Sequence, residues 1–290
     1  MKVVSLFDGI SCLRQALGDR EVEYHAFEID EYAVQVSKKN FPDIIHHSDV
    51  RELKEVIPDV DLLCGGSPCQ DLSIAKKDRK GLEGERSGLF WEYVRILRLL
   101  NPKYFILENV ASMSKEDKDI ITGELGVEPI MINASLVSAQ QRKRLFWTNI
   151  PNVVQPVDRK IYLKDILEQN VNTKSYTITK SIKTDHKTKD KPIQMGFVGK
   201  TTTQFNRVYS NEGKSPCICS VIQYYQTDTN IRKLTPIECE RLQGLPDNYT
   251  EGVSSTQRYK CLGNGFNVDV IKHIIGFIPI NNDNGLVVSP

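Results

Sequence analysis

Five short apolar runs, each ending in a turn or an acid, recur through the first 110 residues of this chain: KVVSLF (2–7), YHAFEID (24–30), DIIHHSDV (43–50), VDLLCGGSP (60–68) and YFILENV (104–110). Short apolar runs bounded by turn residues read as strands buried on both faces of a sheet. Between them lie segments with helical spacing: CLRQALGD, EYAVQVSKKNF and GLFWEYVRILRLLNP (88–102), the last stopped by Asn-Pro. PIMINASLV (129–137) and RLFWTNI (144–150) read as two more strands. Strands alternating with helices predict an α/β fold, a doubly wound and mostly parallel sheet. Such sheets bind ligands beyond the carboxyl ends of their strands. DGIS (8–11), Glu28, Asp49, the SPCQ turn (67–70) and ENV (108–110) all fall at those ends. One sheet edge is therefore expected to collect them.

The pattern changes after Pro151. Residues 152–230 are rich in Lys, Thr, Asn and Ser, with short β-like pieces such as SYTITKSI and CICSVIQYY. They read as a smaller lobe with a weak core of its own. RKLTPIECERLQGLPDNY (232–249) reads as a helix started by Thr-Pro and stopped at Gly-Leu-Pro. YKCLGNGFNVDVIKHIIGFI (259–278) holds a Gly-Asn-Gly turn and then an amphipathic helix that would return to the first domain. The expected division is a large domain of 1–151 with 259–290, and a small domain of 152–258. The last residues, NNDNGLVVSP, read as a loose tail.

Net charge is only +1, but it is uneven: residues 174–207 hold eight Lys/Arg against two Asp. KKDRK (76–80) and RKR (142–144) are further basic clusters. Three basic runs beside turn motifs point to a polyanion partner. Seven cysteines, an odd number scattered along the chain, argue for a reducing, cytoplasmic setting and against a disulfide framework. Cys217 and Cys219 form a C-x-C without a second pair, so no metal site is expected. No apolar run reaches the roughly 18 residues of a membrane span. Asp8 interrupts the apolar N-terminus, which argues for a buried strand rather than a signal peptide.

At the first strand end, Phe7, Asp8, Gly9, Ile10 and Ser11 open a helix, and the glycine lets backbone approach a ligand. There is no G-x-G-x-x-G, which argues against a pyrophosphate-binding dinucleotide site. Glu28 lies 19 residues beyond Gly9, where an acid bonds ribose hydroxyls. Asp49 is placed to accept from an adenine amino group. A ribose and an adenine without a pyrophosphate cradle suggest S-adenosylmethionine rather than NAD; three ordinary loop acids and a turn are the bland alternative.

At the fourth strand end, Cys69 follows Pro68, and its loop carries KKDRK. Nearby cations favour the nucleophilic thiolate. Glu108 ends the neighbouring strand, and a partly buried carboxyl can serve as an acid. A thiolate beside a protonatable carboxyl suits alkylation of a pyrimidine at C5: the thiolate adds at C6 and makes C5 enamine-like. Such a base must leave the duplex to be reached. A papain-like hydrolase would need a histidine partner, and His25, His46, His47, His186 and His273 fall in no matching context. A buried structural thiol is the other reading.

At this point the residues resemble the C5-cytosine DNA methyltransferases, across almost the whole chain. FDGIS (7–11) resembles the family's first motif, GGSPCQ (65–70) its Pro-Cys nucleophile motif, and ENV its catalytic glutamate. QQRKR (140–144) matches Q-x-R-x-R through Gln140, Arg142 and Arg144. NRVYSNEGKSPCI (206–218) resembles the segment closing the recognition region, RKLTPIECERLQGLPDNY the ninth motif, and LGNGFNVDVI the tenth. The details are most similar to the compact branch of phage and prokaryotic genomes, which also resembles the catalytic domain of the animal de novo methyltransferases.

The resemblance implies a Rossmann-like class I fold, S-adenosylmethionine as cofactor with S-adenosylhomocysteine as product, and double-stranded DNA as partner. Cys69 would be the covalent nucleophile, and Glu108 would hold the cytosine N3 and amino edge. Arg142 would stabilise the flipped base, and Arg144 would organise Glu108. Phe7, Asp8, Gly9, Ile10, Ser11, Glu28, Ile29, Asp49, Val50, Pro68, Leu89, Asn264 and Phe266 would line the cofactor site. Gln70, Ser73, Arg79, Lys80, Gln140 and Arg207 would approach DNA. A restriction endonuclease is a possible companion. Two positions depart from the family's pattern. Ser11 and Cys12 replace the last two glycines of the first motif, and Gly265-Phe266 replaces a small polar residue and an aliphatic in the tenth. The short recognition region, 152–230, predicts a target of roughly two to five base pairs. The alternatives are a tRNA cytosine-C5 methyltransferase of the same catalytic design and a catalytically silent DNA-binding homologue.

Overall fold

The structure is a computed structural model that describes residues 1–68, 88–169, 171, 174–183, 189–219, 222–227 and 230–279. The chain divides into two compact units. The first comprises 1–132, 143–155 and 270–290; the second comprises 133–142 and 156–269.

The first unit is built on a seven-stranded sheet in the order β3-β2-β1-β4-β5-β7-β6. Its strands are β1 Lys2–Leu6, β2 Glu23–Phe27, β3 Ile45–His47, β4 Leu62–Gly65, β5 Tyr104–Val110, β6 Ile130–Asn133 and β7 Lys143–Thr148. β1 through β5 pair in parallel, and β7 runs antiparallel to β5. The register aligns Leu6 with Phe27 on one side and with Gly65 on the other, and Gly65 with Leu107. The residues after these positions therefore emerge at one edge. The chain runs outward from β1 to β3 and returns to place β4 on the other side of β1, so the topological switch lies between β1 and β4.

Helices α1 (Cys12–Leu17), α2 (Glu31–Asn40) and α3 (Leu89–Leu100) follow the expected segments. α3 buries Phe90, Tyr93, Val94 and Ile96 in a core shared with Val4, Leu6, Leu63, Leu107 and Trp147. Gly65 lets α3 approach closely: a Cβ there would meet the Tyr93 ring at 3.0 Å and the Leu6 carbonyl at 3.2 Å.

Three details depart from the sequence reading. A helix, α4 (Lys115–Leu125), lies between β5 and β6 where none was expected; it buries only Ile121 and Leu125, so its apolar period is faint. Its local signals lie at its ends: Ser114 accepts from the Asp117 N–H at 3.0 Å, and Gly126 closes the helix in the left-handed conformation. The expected strand 129–137 stops at Asn133, whose side chain accepts from the N–H groups of Ser135 and Arg142 and turns the chain. The Gly-Asn-Gly turn is absent: α6 (Ser255–Asn264) runs through Gly263 and stops at Gly265.

The second unit carries a five-stranded sheet, β12-β11-β10-β9-β8, from β8 Lys180–Ser181, β9 Gln194–Phe197, β10 Arg207–Ser210, β11 Tyr224–Gln226 and β12 Ile231–Lys233. α5 (Pro236–Leu242) starts on a Thr235 capping box, as the Thr-Pro signal predicts. The final helix, α7 (Val268–Ile275), crosses the unit boundary. The core here was expected to be weak. It contains Val208, Ile218 and Tyr225, but also buried Lys214, Arg232, Glu238 and Glu240. Every one of these charges is answered. Arg232 grips Glu238 through two bonds of 2.6 and 2.7 Å, and Arg258 donates to Glu240 at 2.8 Å. The Lys214 ammonium donates to the carbonyls of Ser135, Ser138 and Ile161.

The units differ from the expected division at 133–142 and 259–269, which join the second, and at 152–155, which stay with the first. The reason is visible in the bonds. Gln140 donates to the Leu242 carbonyl and accepts from the Ile218 N–H, while Arg142 donates to the carbonyls of Gly263 and Gly265. Among the described residues no helix is long and apolar enough to cross a membrane.

Candidate active site

The turn after β1 carries three left-handed residues: Phe7 (φ 57), Gly9 (φ 61) and Ser11 (φ 59). This contorted backbone turns one N–H outward to Glu28: Gly9 donates to Oε2 at 2.8 Å. The other Glu28 oxygen accepts from the N–H groups of Ile29 and Asp30 at 2.9 and 2.8 Å. The Glu28 carboxylate is thereby locked at the tip of β2. Beside it Ile29 is 68% exposed, an apolar side chain left open at the sheet edge. Asp49 ends the β3 loop. It accepts from the Arg51 N–H at 2.9 Å and pairs with the Arg51 guanidinium, which holds its carboxyl below the usual carboxylate range. α3 holds the same turn from behind, since Arg95 donates to the carbonyls of Val50 and Leu53.

Not every residue assigned to the cofactor faces outward. Ile10 and Val50 are core side chains. Asp8 is 5% exposed, and its carboxylate accepts from Tyr24 at 2.6 Å and Ser11 at 2.5 Å. Burial pushes the Asp8 carboxyl up to about 6 against the lowering effect of those hydroxyls. Asp8 and Ser11 thus support the turn from beneath, a correction to their expected place as lining residues. Phe7, Pro68 and Leu89 are half-buried. Asn264, exposed at the end of α6, and Phe266, buried, belong to the second unit.

The raised Asp8 carboxyl has a consequence for stability. A folded-state value above the unfolded one means that the folded protein binds the proton more tightly. Asp8 therefore favours folding below about pH 4, and this is lost as pH rises through about 6, a difference of about 3 kcal/mol. Asp8→Asn removes that dependence. Its stability relative to the parent is expected to improve by up to about 3 kcal/mol between pH 4 and pH 7.5. Urea unfolding at the two pH values measures it; a pH-independent difference would contradict the assignment.

At the next strand ends the chemistry is more concentrated. Glu108, 8% exposed, lies on β5 opposite Phe146 of β7, and Arg144 is the diagonal neighbour on the same face. The strand register thus brings Arg144 Nε to 2.8 Å from Glu108 Oε1. The next residue, Asn109, is buried and donates to the carbonyl and the hydroxyl of Ser67 at 3.3 and 3.1 Å. It ties the end of β5 to the backbone just before Pro68 and Cys69. Cys69, Gln70, Ser73, Arg79 and Lys80 lie outside the described residues.

Arg142 is buried in the second unit, with Cys217 Sγ at 3.4 Å and the Gly265 carbonyl at 3.0 Å as partners. Gln140, expected to approach DNA, has no exposed surface: its amide also donates to Gln243 Oε1 at 3.2 Å. It is an internal strut, and the assignment to DNA is corrected accordingly. Arg207 opens β10 and is half-buried. Asn109, Arg95 and Tyr24 support the two sheet-end sites but were not singled out from sequence. Only Asn109 carried a signal, its place in ENV between Glu108 and Val110.

Comparison with known proteins agrees with this geometry. Residues 1–279 match the family described as C-5 cytosine-specific DNA methylase. Type II methyltransferase M1.ScrFI of Lactococcus lactis subsp. cremoris is 34% identical over 94% of this chain and 76% of its own length. Type II methyltransferase M.HhaI of Haemophilus parahaemolyticus is 29% identical, covering 94% and 93%. Among solved structures, the Entamoeba histolytica methyltransferase EhMeth has a TM-score of 0.71 at 18% identity, covering 96% of this chain and 97% of that one. A putative DNA modification methyltransferase encoded within an E. coli prophage has a TM-score of 0.68 at 21% identity, covering 95% and 97%. These structures share the doubly wound fold expected from the strand pattern. With a match that runs nearly end to end and takes in every motif described above, the chain belongs to the C-5 cytosine-specific DNA methylase family.

Proposed function

We propose that this DNA cytosine-C5 methyltransferase works by covalent catalysis from Cys69, with S-adenosylmethionine bound at the ends of β1, β2 and β3. The observation that carries the proposal is the buried Glu108–Arg144 pair, set beside the Asn109–Ser67 tie that leads into Pro68-Cys69. The Cys69 thiolate adds to C6 of an extruded cytosine. Glu108 in its carboxylic-acid form, held through its other oxygen by Arg144, donates its proton to N3 and so neutralises the negative charge that develops in the ring. S-adenosylmethionine, when bound, supplies an electrophilic methyl group. Once C5 carries that methyl, a solvent water takes the C5 proton, the C–H electron pair forms the C5–C6 double bond, the C6–S bond breaks to release the Cys69 thiolate, and the N3 proton returns to Glu108.

The residues fit the cofactor chemically. Glu28 is immobilised at the tip of β2 with a lone pair of Oε2 left for a ribose hydroxyl, Ile29 offers an open apolar surface, and the turn lacks a pyrophosphate cradle. Duplex DNA is the proposed substrate. The exposed lysines of the second unit, among them Lys174, Lys180, Lys183 and Lys200, suit phosphate contacts, which position without specifying sequence.

The test is base-resolution methylation sequencing of DNA from cells expressing the protein. 5-Methylcytosine is expected in one short fixed context. A blank genome together with methylated tRNA would instead favour the RNA substrate.

A further inference from the structure

We propose that Ser37, on α2, is a positioning residue for the cofactor turn: its hydroxyl holds Ser11 in the left-handed conformation that shapes the Phe7–Ser11 backbone. The inference rests on the reading of that turn as the cofactor site. It begins from a cost. Ser11 adopts φ 59 and ψ 40 immediately before α1, a region that residues with a Cβ enter at a penalty and glycine enters freely. Ser11 is the N-cap of α1, yet its hydroxyl caps nothing. It is used inward instead, 2.5 Å from Asp8 Oδ2 and 2.5 Å from Ser37 Oγ. Ser37 in turn lies 3.4 Å from His46 Nε2 on β3.

The direction of these bonds follows from the inventory of donors. An ionised Asp8 only accepts, so Ser11 must donate to it. Ser11 then has only a lone pair for Ser37, so Ser37 donates to Ser11. The Ser37 oxygen is left to accept, and His46 Nε2–H is the donor that faces it. Every hydroxyl in the row is oriented toward Asp8. The row spans three elements: α2 through Ser37, β3 through His46, and the β1 turn through Ser11 and Asp8. Tyr24 on β2 completes the set at the other carboxylate oxygen. The turn that presents Gly9 to Glu28 is thereby anchored on α2, β2 and β3. The serine that stands at a glycine position of the family's motif is accommodated because Asp8 accepts from its hydroxyl and Ser37 donates to it.

The experiment is a double-mutant cycle of Ser37→Ala and Ser11→Gly, read by S-adenosylhomocysteine titration and by backbone hydrogen exchange of residues 7–17. In the parent background Ser37→Ala is expected to weaken S-adenosylhomocysteine binding about tenfold, the worth of one buried hydrogen bond. The loss should appear in the cofactor KM, with kcat at saturating cofactor little changed. In the Ser11→Gly background the same substitution should cost less than about twofold, since Ser37 acts through Ser11. Exchange of residues 7–17 should rise with Ser37→Ala in the parent background alone. Equal effects in both backgrounds would overturn the proposal and leave Ser37 a general packing residue. A parent protein that binds no S-adenosylhomocysteine would overturn the cofactor reading, and the exchange arm would still decide whether Ser37 holds the turn.

Discussion

Cys69→Ser protein is expected to transfer no measurable methyl groups to DNA while still binding S-adenosylhomocysteine. Without a covalent bond at C6, the cytosine C5 carbon is too poor a nucleophile to attack a methyl group. A thiol near neutral pH is partly thiolate, whereas a serine hydroxyl stays protonated unless a base activates it. Neither Glu108 nor Arg144 is such a base, since each is committed to the other. Loss of a covalent nucleophile typically lowers kcat by more than about 10⁴-fold. Transfer of a labelled methyl group to duplex DNA measures the loss, and a 5-fluorocytosine duplex should trap the parent protein covalently but not the variant. A Cys69→Ser enzyme within tenfold of the parent rate would end the covalent reading. The same result would return Cys69 to the bland reading of a structural thiol.

Arg232→Met should be the most destabilising single change in the second unit. Arg232 and Glu238 have side chains 3% and 0% exposed, so neither charge has water to fall back on. Glu238 also accepts from the N–H groups of Thr235 and Glu168, which fixes it in place. Removing the arginine strands a buried carboxylate and is expected to cost about 3–5 kcal/mol. The thermal midpoint should fall by on the order of 10 °C. Lys164→Met removes one partner of an exposed pair with Glu212 at 3.1 Å and should change stability little. Thermal and urea unfolding of the two variants compare the cases directly. Equal, small effects would mean that the ninth-motif helix does not depend on its buried pair.

The legible parts of this protein share one property: their position follows from apolar burial. Strands of a parallel sheet are covered on both faces, so β1, β4 and β5 are near-continuous apolar runs, and their ends could be found by reading where those runs stop. Glu28, Asp49 and Glu108 were located at strand ends in this way. α4 escaped because it buries only two side chains and is otherwise written in charges. The stop at Asn133 escaped because its cause is a side chain bonded to Ser135 and to Arg142 nine residues on. From sequence, Gln140 was expected to approach DNA and Arg142 to stabilise the flipped base. They are internal because their polar atoms meet carbonyls of the 242–265 segment, about a hundred residues away in sequence.

By itself, the sequence determined the sheet type, the order of the motifs and the set of reactive groups, and through these the family. Apolar periodicity and motif spacing are properties of the chain as written. Tertiary structure alone decided which polar atoms meet. Arg144 reaches Glu108 through an antiparallel register, Asn109 reaches back to Ser67, and the hydroxyls of Ser11 and Ser37 come within 2.5 Å across 26 residues. A hydrogen bond is made or lost over a few tenths of an ångström, and its donors are short side chains that leave no periodic trace. Only the packed positions of β1, α2, β5 and β7 settle that geometry.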